Sequence, residues 1–103
     1  MFDKEAMKTV NEYITLLRSY TRMNAEKYGI TSIGIFGSVS RGEQREGSDL
    51  DIFVELHEAD PVIMAYIHDD LQEICQCNVD LIRLRKGLSD QLLQRIEKDA
   101  IYA

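Results

Sequence analysis

With 103 residues, 45% of them hydrophobic and 29% charged, the chain has room for one core and is too apolar to remain disordered. Its longest apolar run, Val62 to Ile67, falls far short of the roughly 20 residues of a membrane helix, and its amino terminus lacks the basic and apolar regions of a secretory signal, so the expected setting is cytoplasmic with no membrane contact. The net charge of −6, with seven acids against the single base Arg45 between residues 43 and 60, disfavours a nucleic-acid partner and favours encounter with a basic protein.

Residues 3–28 contain no Gly or Pro and place Ala6, Met7, Val10, Tyr13, Ile14, Leu17 and Tyr20 at spacings of three and four, which predicts an amphipathic helix stopped by Gly29. Ser32 to Phe36 reads as a short strand running into Gly37-Ser38 and a polar segment, Val39 to Ser48, with two further glycines. From Asp49 to Leu56 alternation is strict: Leu50, Ile52, Val54 and Leu56 share one face of a strand, and Asp49, Asp51, Phe53 and Glu55 the other. Asp60 and Pro61 suit the start of a helix that continues through Ile63, Ile67, Leu71 and Ile74 until Asn78. Val79 to Leu84 predicts a third strand, and Ser89 or Asp90 could cap a last helix carrying Leu92, Leu93 and Ile96. The expected order is helix, strand, strand, helix, strand, helix, in a single domain over residues 1–103. There is no room for a separate substrate-recognition domain, so the molecule acted upon is expected to be held largely elsewhere.

Two carboxylates two residues apart on a strand, as Asp49 and Asp51 are, project from the same face with Cα atoms about 6.5 Å apart. Hard oxygen donors at that separation can clasp Mg²⁺, and two ions about 4 Å apart could share them, although such a pair on an exposed strand can also serve solubility alone. Gly37 at a strand end lets backbone N–H groups approach a phosphate without a Cβ in the way, Ser38 adds a hydroxyl, and Arg41 lies where it could neutralise phosphate charge. The competing reading is an ordinary turn, with Arg41 paired to a nearby glutamate. Cys75 and Cys77 lack a second ligand pair and read as free thiols. His57 and His68 read as solvated, the tyrosines at 13, 20, 28 and 66 as core or interface, and Arg83 and Arg85 as facing away from Asp80.

Gly37-Ser38, ten residues, then Asp49-x-Asp51, in a strand, loop and strand context, resembles the signature of the nucleotidyltransferase superfamily that includes DNA polymerase β. The wider run Gly-Ser-Val-Ser-Arg-Gly and Ser48-Asp49-Leu50-Asp51-Ile52 resembles the minimal nucleotidyltransferases of bacteria and archaea. The resemblance implies an α/β (α+β) fold, a small mixed sheet with helices packed on one face, closed by a helix over Ile96 to Tyr102. It also implies a third acid from a later strand. Asp80 fits, since Val79 and Leu81 would face the helices and leave Asp80 beside Asp49 and Asp51, although a hydrogen-bonded structural role is also open to it.

The implied site has Asp49, Asp51 and Asp80 as catalytic and metal residues holding two Mg²⁺ ions, and Gly37, Ser38 and Arg41 binding ATP. The implied function is that of an antitoxin, transferring AMP from ATP to a tyrosine hydroxyl of a HEPN-family ribonuclease toxin with which it forms a hetero-oligomer. Two other readings stand beside it: a non-catalytic module that occludes such a toxin, and nucleotidyl transfer to a small molecule or tRNA. Phe53, Ile82 and Leu84 would lie on the open sheet face, to be covered by a partner or by the final helix.

Overall fold

The computed structural model describes residues 8–45 and 47–103. The elements run α1 (Val10–Tyr28), β1 (Ile30–Phe36), α2 (Gly37–Ser40), β2 (Leu50–Leu56), α3 (Pro61–Cys75), β3 (Val79–Arg83), α4 (Asp90–Asp99) and β4 (Ile101–Tyr102). Each expected element is present, and α2 and β4 are additions. Ala6 and Met7, expected on the first helix, lie outside the described residues. That helix begins at Val10, because Thr9 accepts from the Glu12 amide while the Glu12 side chain accepts from the Thr9 amide, a reciprocal capping box. Asp60 Oδ1 accepts from the amides of Val62 and Ile63 to cap α3 behind Pro61. α3 stops at Cys75, three residues before the expected Asn78, where Gln76 turns left-handed (φ 55°) and bonds back to the Glu73 carbonyl.

The sheet has the order β3-β2-β1-β4. β1 runs antiparallel to β2 and to β4, and β2 runs parallel to β3 through the α3 crossover, so the sheet is mixed as expected. The alternation read along β2 holds. Leu50, Ile52, Val54 and Leu56 join Ile33 and Ile35 in a core packed under α1 and α3, with Leu17, Ile67 and Leu71 from the helices fully buried in it. Tyr13 and Tyr20 also belong to this core, Tyr20 donating to Asp70 Oδ2 at 2.7 Å across the two helices, and Tyr28 meets Tyr66.

Of the two covers expected for the opposite face, a partner or the final helix, the chain itself supplies the second, which replaces the expected arrangement of helices on one face only. Ile96 of α4 is buried against Phe36 and Phe53, with Ile82, Leu84 and Leu92 around them. Helices therefore lie on both faces, two on one and α4 on the other. The expected closing helix also ends early, at Asp99. A helix through Tyr102 would leave part of the outer edge of β1 unpaired; instead Ile101 and Tyr102 extend beside Ile35 and Gly34, and the Ala103 amide donates to the Ile33 carbonyl at 2.9 Å. Gly34 allows this row to close. Phe53 and Tyr102 meet above it edge to face with ring centroids 5.1 Å apart, and a Cβ on Gly34 would collide with the Phe53 ring and the Ile101 carbonyl. No helix among the described residues is long and apolar enough to cross a membrane.

Candidate active site

The sheet register brings the candidate residues together. Phe36 pairs with Asp51 across β1 and β2, and Asp51 pairs with Asp80 across β2 and β3, so the two carboxylates stand in neighbouring strands on the face that α4 partly covers. Asp49 lies just ahead of β2 and is exposed, as is Asp80, whereas Asp51 is half-buried. Burial, and next the negative charge of Asp80, push the Asp51 carboxyl up to about 6; Asp49 adds to the rise and the Arg95 guanidinium opposes it. Two carboxylates placed to repel one another are a site that a cation would relieve.

Gly37 follows directly after Phe36 and opens α2 with φ +74°. A Cβ there would fall on Asp51 Oδ2 and within 3.0 Å of its Cγ, so glycine is required both by the backbone and by the carboxylate lying against it. Ser38 comes next, half-buried, in a short helical segment held by the Ser40 hydroxyl and the Arg41 amide, both donating to the Gly37 carbonyl. Arg41 is committed elsewhere. Its Nε meets Glu43 at 3.0 Å and its Nη1 meets Asp99 of α4 at 2.6 Å; the Asp99 side chain is only 8% exposed against 43% for Arg41. The glutamate pairing expected as the alternative for Arg41 is thus present, together with a second partner from the far end of the chain.

β3 is clamped from α3. His68 Nε2 lies 2.8 Å from the Val79 carbonyl, and the Val79 amide donates to Gln72 Oε1 at 3.1 Å. Two side chains four residues apart on one helix thus hold both main-chain groups of the residue before Asp80. His68 is therefore engaged with the strand and half-buried, unlike the solvated residue expected, whereas His57 is exposed. Cys75 and Cys77 are free, and burial pushes the Cys75 thiol up to about 12, leaving it protonated and inert.

The chain has known relatives. Residues 19–102 match the family model described as Polymerase beta, Nucleotidyltransferase. The chain belongs to this nucleotidyltransferase family. It is 37% identical over 97 residues to a Methanocaldococcus jannaschii protein provisionally named a protein adenylyltransferase, covering 93% of this chain and 99% of the relative. It is 30% identical over 99 residues to the protein adenylyltransferase MntA of Thermococcus cleftensis, covering 94% and 98% of the two. Among solved structures it resembles a chain of a toxin-antitoxin complex with AMP-PNP, at a TM-score of 0.71 and 26% identity over 85% of this chain and 69% of that one. It also resembles a chain of the complex of a tri-AMPylated Shewanella oneidensis HEPN toxin with an MNT antitoxin, at a TM-score of 0.57 and 25% identity over 89% and 66%.

The candidate donors here are hard carboxylate oxygens, the chemistry suited to Mg²⁺. Asp51 and Asp80 form their close pair. Among the described residues no group of three His, Cys, Asp or Glu side chains is arranged to hold a metal ion. One residue near the nucleotidyltransferase site was not found by sequence reading: Arg95 of α4, whose charge reaches Asp51. Its position immediately before the apolar Ile96 was the only local signal. The face to which α4 would pack was not evident from its own periodicity.

Proposed function

We propose that this nucleotidyltransferase transfers AMP from ATP to a tyrosine hydroxyl of a HEPN-family toxin and so neutralises it. The observation that carries the reading is the Asp51–Asp80 carboxylate pair held in register on neighbouring strands, with Gly37 packed against Asp51. It is supported by relatives that share nearly their whole length with this chain and bear the name protein adenylyltransferase, and by likeness to chains of a toxin-antitoxin complex with AMP-PNP and of a complex between a tri-AMPylated HEPN toxin and an MNT antitoxin. The net charge of −6 favours a basic protein surface as the acceptor's setting.

In this reading ATP binds at Gly37 and Ser38, where main-chain N–H groups and the Ser38 hydroxyl supply donors to its phosphate oxygens. Asp49, Asp51 and Asp80 would hold Mg²⁺, which would activate the attacking oxygen and offset charge on the leaving phosphates. Asp80, the more exposed of the paired acids, accepts the proton of the tyrosine hydroxyl. The phenolic oxygen attacks the α-phosphorus, the bond from that phosphorus to the bridging oxygen breaks, and pyrophosphate leaves. The acceptor's own protein supplies the positioning of that hydroxyl.

Transfer of label from α-labelled ATP to the toxin, followed on a denaturing gel, is the test. Asp49→Asn and Asp51→Asn are expected to abolish labelling with the fold retained, and Asp80→Asn to lose transfer while keeping ATP binding. Labelling that persists in both Asp49→Asn and Asp51→Asn would remove the site assignment. A stable complex in which the wild-type protein never labels its partner would leave occlusion as the function.

A further inference from the structure

Asp99 occupies a position that its own helix does not favour. It is the last residue of α4, where a negative charge opposes the helix dipole, and its side chain is only 8% exposed. A carboxylate withdrawn from water needs a partner of opposite charge, and Arg41 Nη1 supplies it at 2.6 Å from Oδ2. The main chain around Asp99 is held on both sides. Three residues earlier Ile96 is buried against Phe36 and Phe53, and two residues later Ile101 pairs with Ile35 of β1. β1 is the strand that runs on through Phe36 into Gly37, so the Asp99 carboxylate and the start of α2 are both fixed to one strand.

Arg41 stands at the other end of α2. Its amide donates to the Gly37 carbonyl at 3.3 Å, one helical turn beyond the glycine that lies against Asp51. Its long side chain is 43% exposed, and an unrestrained guanidinium would lose rotamer freedom on meeting a ligand. Two carboxylates remove much of that freedom in advance. Glu43 takes Nε, but its side chain is 64% exposed, where an ion pair contributes little; Asp99 takes Nη1 from a buried and fixed position. Together they leave Nη2 without a partner among the described residues. We propose that Asp99 is a positioning residue, which holds the Arg41 guanidinium by one edge so that its Nη2 edge is presented to the phosphates of the bound nucleotide. This rests on the reading that the cleft takes ATP with Arg41 on its phosphates. The sign of the effect separates two roles for the carboxylate. If Asp99 only neutralised Arg41, removing its charge would strengthen the binding of an anion; if it positions Arg41, removal weakens that binding.

The test is calorimetric titration of the full chain with ATP in excess Mg²⁺, for wild type, Asp99→Asn, Asp99→Glu, Arg41→Ala and the double variant of Arg41→Ala with Asp99→Asn. Asp99→Asn is expected to weaken ATP binding about 3- to 10-fold, Asp99→Glu to recover part of that loss, and Asp99→Asn to have no effect once Arg41 is alanine. Unchanged or tighter ATP binding in Asp99→Asn overturns the assignment. So does an equal loss with and without Arg41, because a merely structural role would add to the loss of Arg41 instead of vanishing with it. A measurement on the wild type stands whether or not the variants fold. A guanidinium held by a carboxylate turns slowly about its Cζ–Nη bonds, so nitrogen-15 spectra are expected to resolve Arg41 Nη1 from Nη2 before ATP is added, and a single averaged signal overturns the positioning role. A wild-type protein that binds no ATP overturns the nucleotide reading, and ATP affinity unaffected by Arg41→Ala removes Arg41 from the phosphates. Either result also ends the role of Asp99, and each is distinct from an Asp99 variant with wild-type affinity.

Discussion

At Asp51, burial and the neighbouring Asp80 act in the same direction on one carboxyl. Its folded value, about 6, lies above the ordinary 3.8, so the folded protein holds this proton more tightly than the unfolded chain. The stability it contributes is fully present below the ordinary value and is lost as pH rises through about 6. A carbon-13 carboxyl titration of the metal-free protein is expected to place Asp51 near 6, and Asp80→Asn to lower it only part of the way, since burial is the larger cause. An Asp51 that titrates in the ordinary range would contradict the packing around it. Gly37 belongs to the same scale. Gly37→Ala puts an L-residue at φ +74° and a methyl onto the Asp51 carboxylate, and the backbone alone is expected to cost roughly 1–2 kcal/mol. Urea unfolding measures that loss, and ATP titration is expected to show weakened nucleotide binding with it. Much of this was legible: Gly37, Asp49 and Asp51 stood out by residue type and spacing, whereas the contact between Gly37 and Asp51 joins two strands and is written in neither.

At the level of elements, the position of Asp80 depends on α3. β3 lies at the sheet edge, and its first residue, Val79, is gripped on both main-chain groups by His68 and Gln72. Replacing both side chains, as His68→Leu with Gln72→Leu, is expected to cost about 1–3 kcal/mol for each group left unsatisfied. Amide hydrogen exchange is expected to quicken in β3 while the central pairing of β1 with β2 keeps its protection; unchanged exchange in β3 would mean that its pairing with β2 suffices to hold Asp80. His68 was unreadable in this role because its partner is a backbone carbonyl, which carries no residue identity. The start of α1 was readable and overlooked: Thr9 and Glu12 are a capping-box pair, outweighed by an apolar pattern that runs on through Ala6 and Met7. The end of α4 was unreadable for a different reason. Ile101 and Tyr102 continue a helical pattern acceptably, and only the unpaired edge of β1 draws them into a strand.

For the whole molecule, the two cores are joined through single strands. Ile35 and Phe36 are consecutive residues in opposite cores, as are Ile52 and Phe53, so neither face can lose its packing without disturbing the strands the other uses. We therefore propose that the described residues unfold as one cooperative unit. Ile96→Ala, which empties the centre of the smaller core, is expected to cost about 2–5 kcal/mol and to shift the entire unfolding transition. Coincident curves from far-UV circular dichroism and tyrosine fluorescence check this; an early fluorescence change confined to the α4 side would divide the chain into two units.

Sequence alone determined the elements whose identity rests on local period and local caps: α1 from Val10 onward, the alternation of β2, the capped start of α3 and the family to which the Gly-Ser and Asp-x-Asp pattern points. Periodicity reports which face of a segment is apolar, and that was enough to put Asp51 and Phe53 on the side away from Ile52. Tertiary structure decided what covers that side, that Arg41 is tied to Asp99, and how Asp80 is held beside Asp51. Those outcomes depend on contacts between residues 36, 53 and 96, or 41 and 99, where the energy comes from closing distant parts of the chain onto one another and leaves no periodic trace in either part.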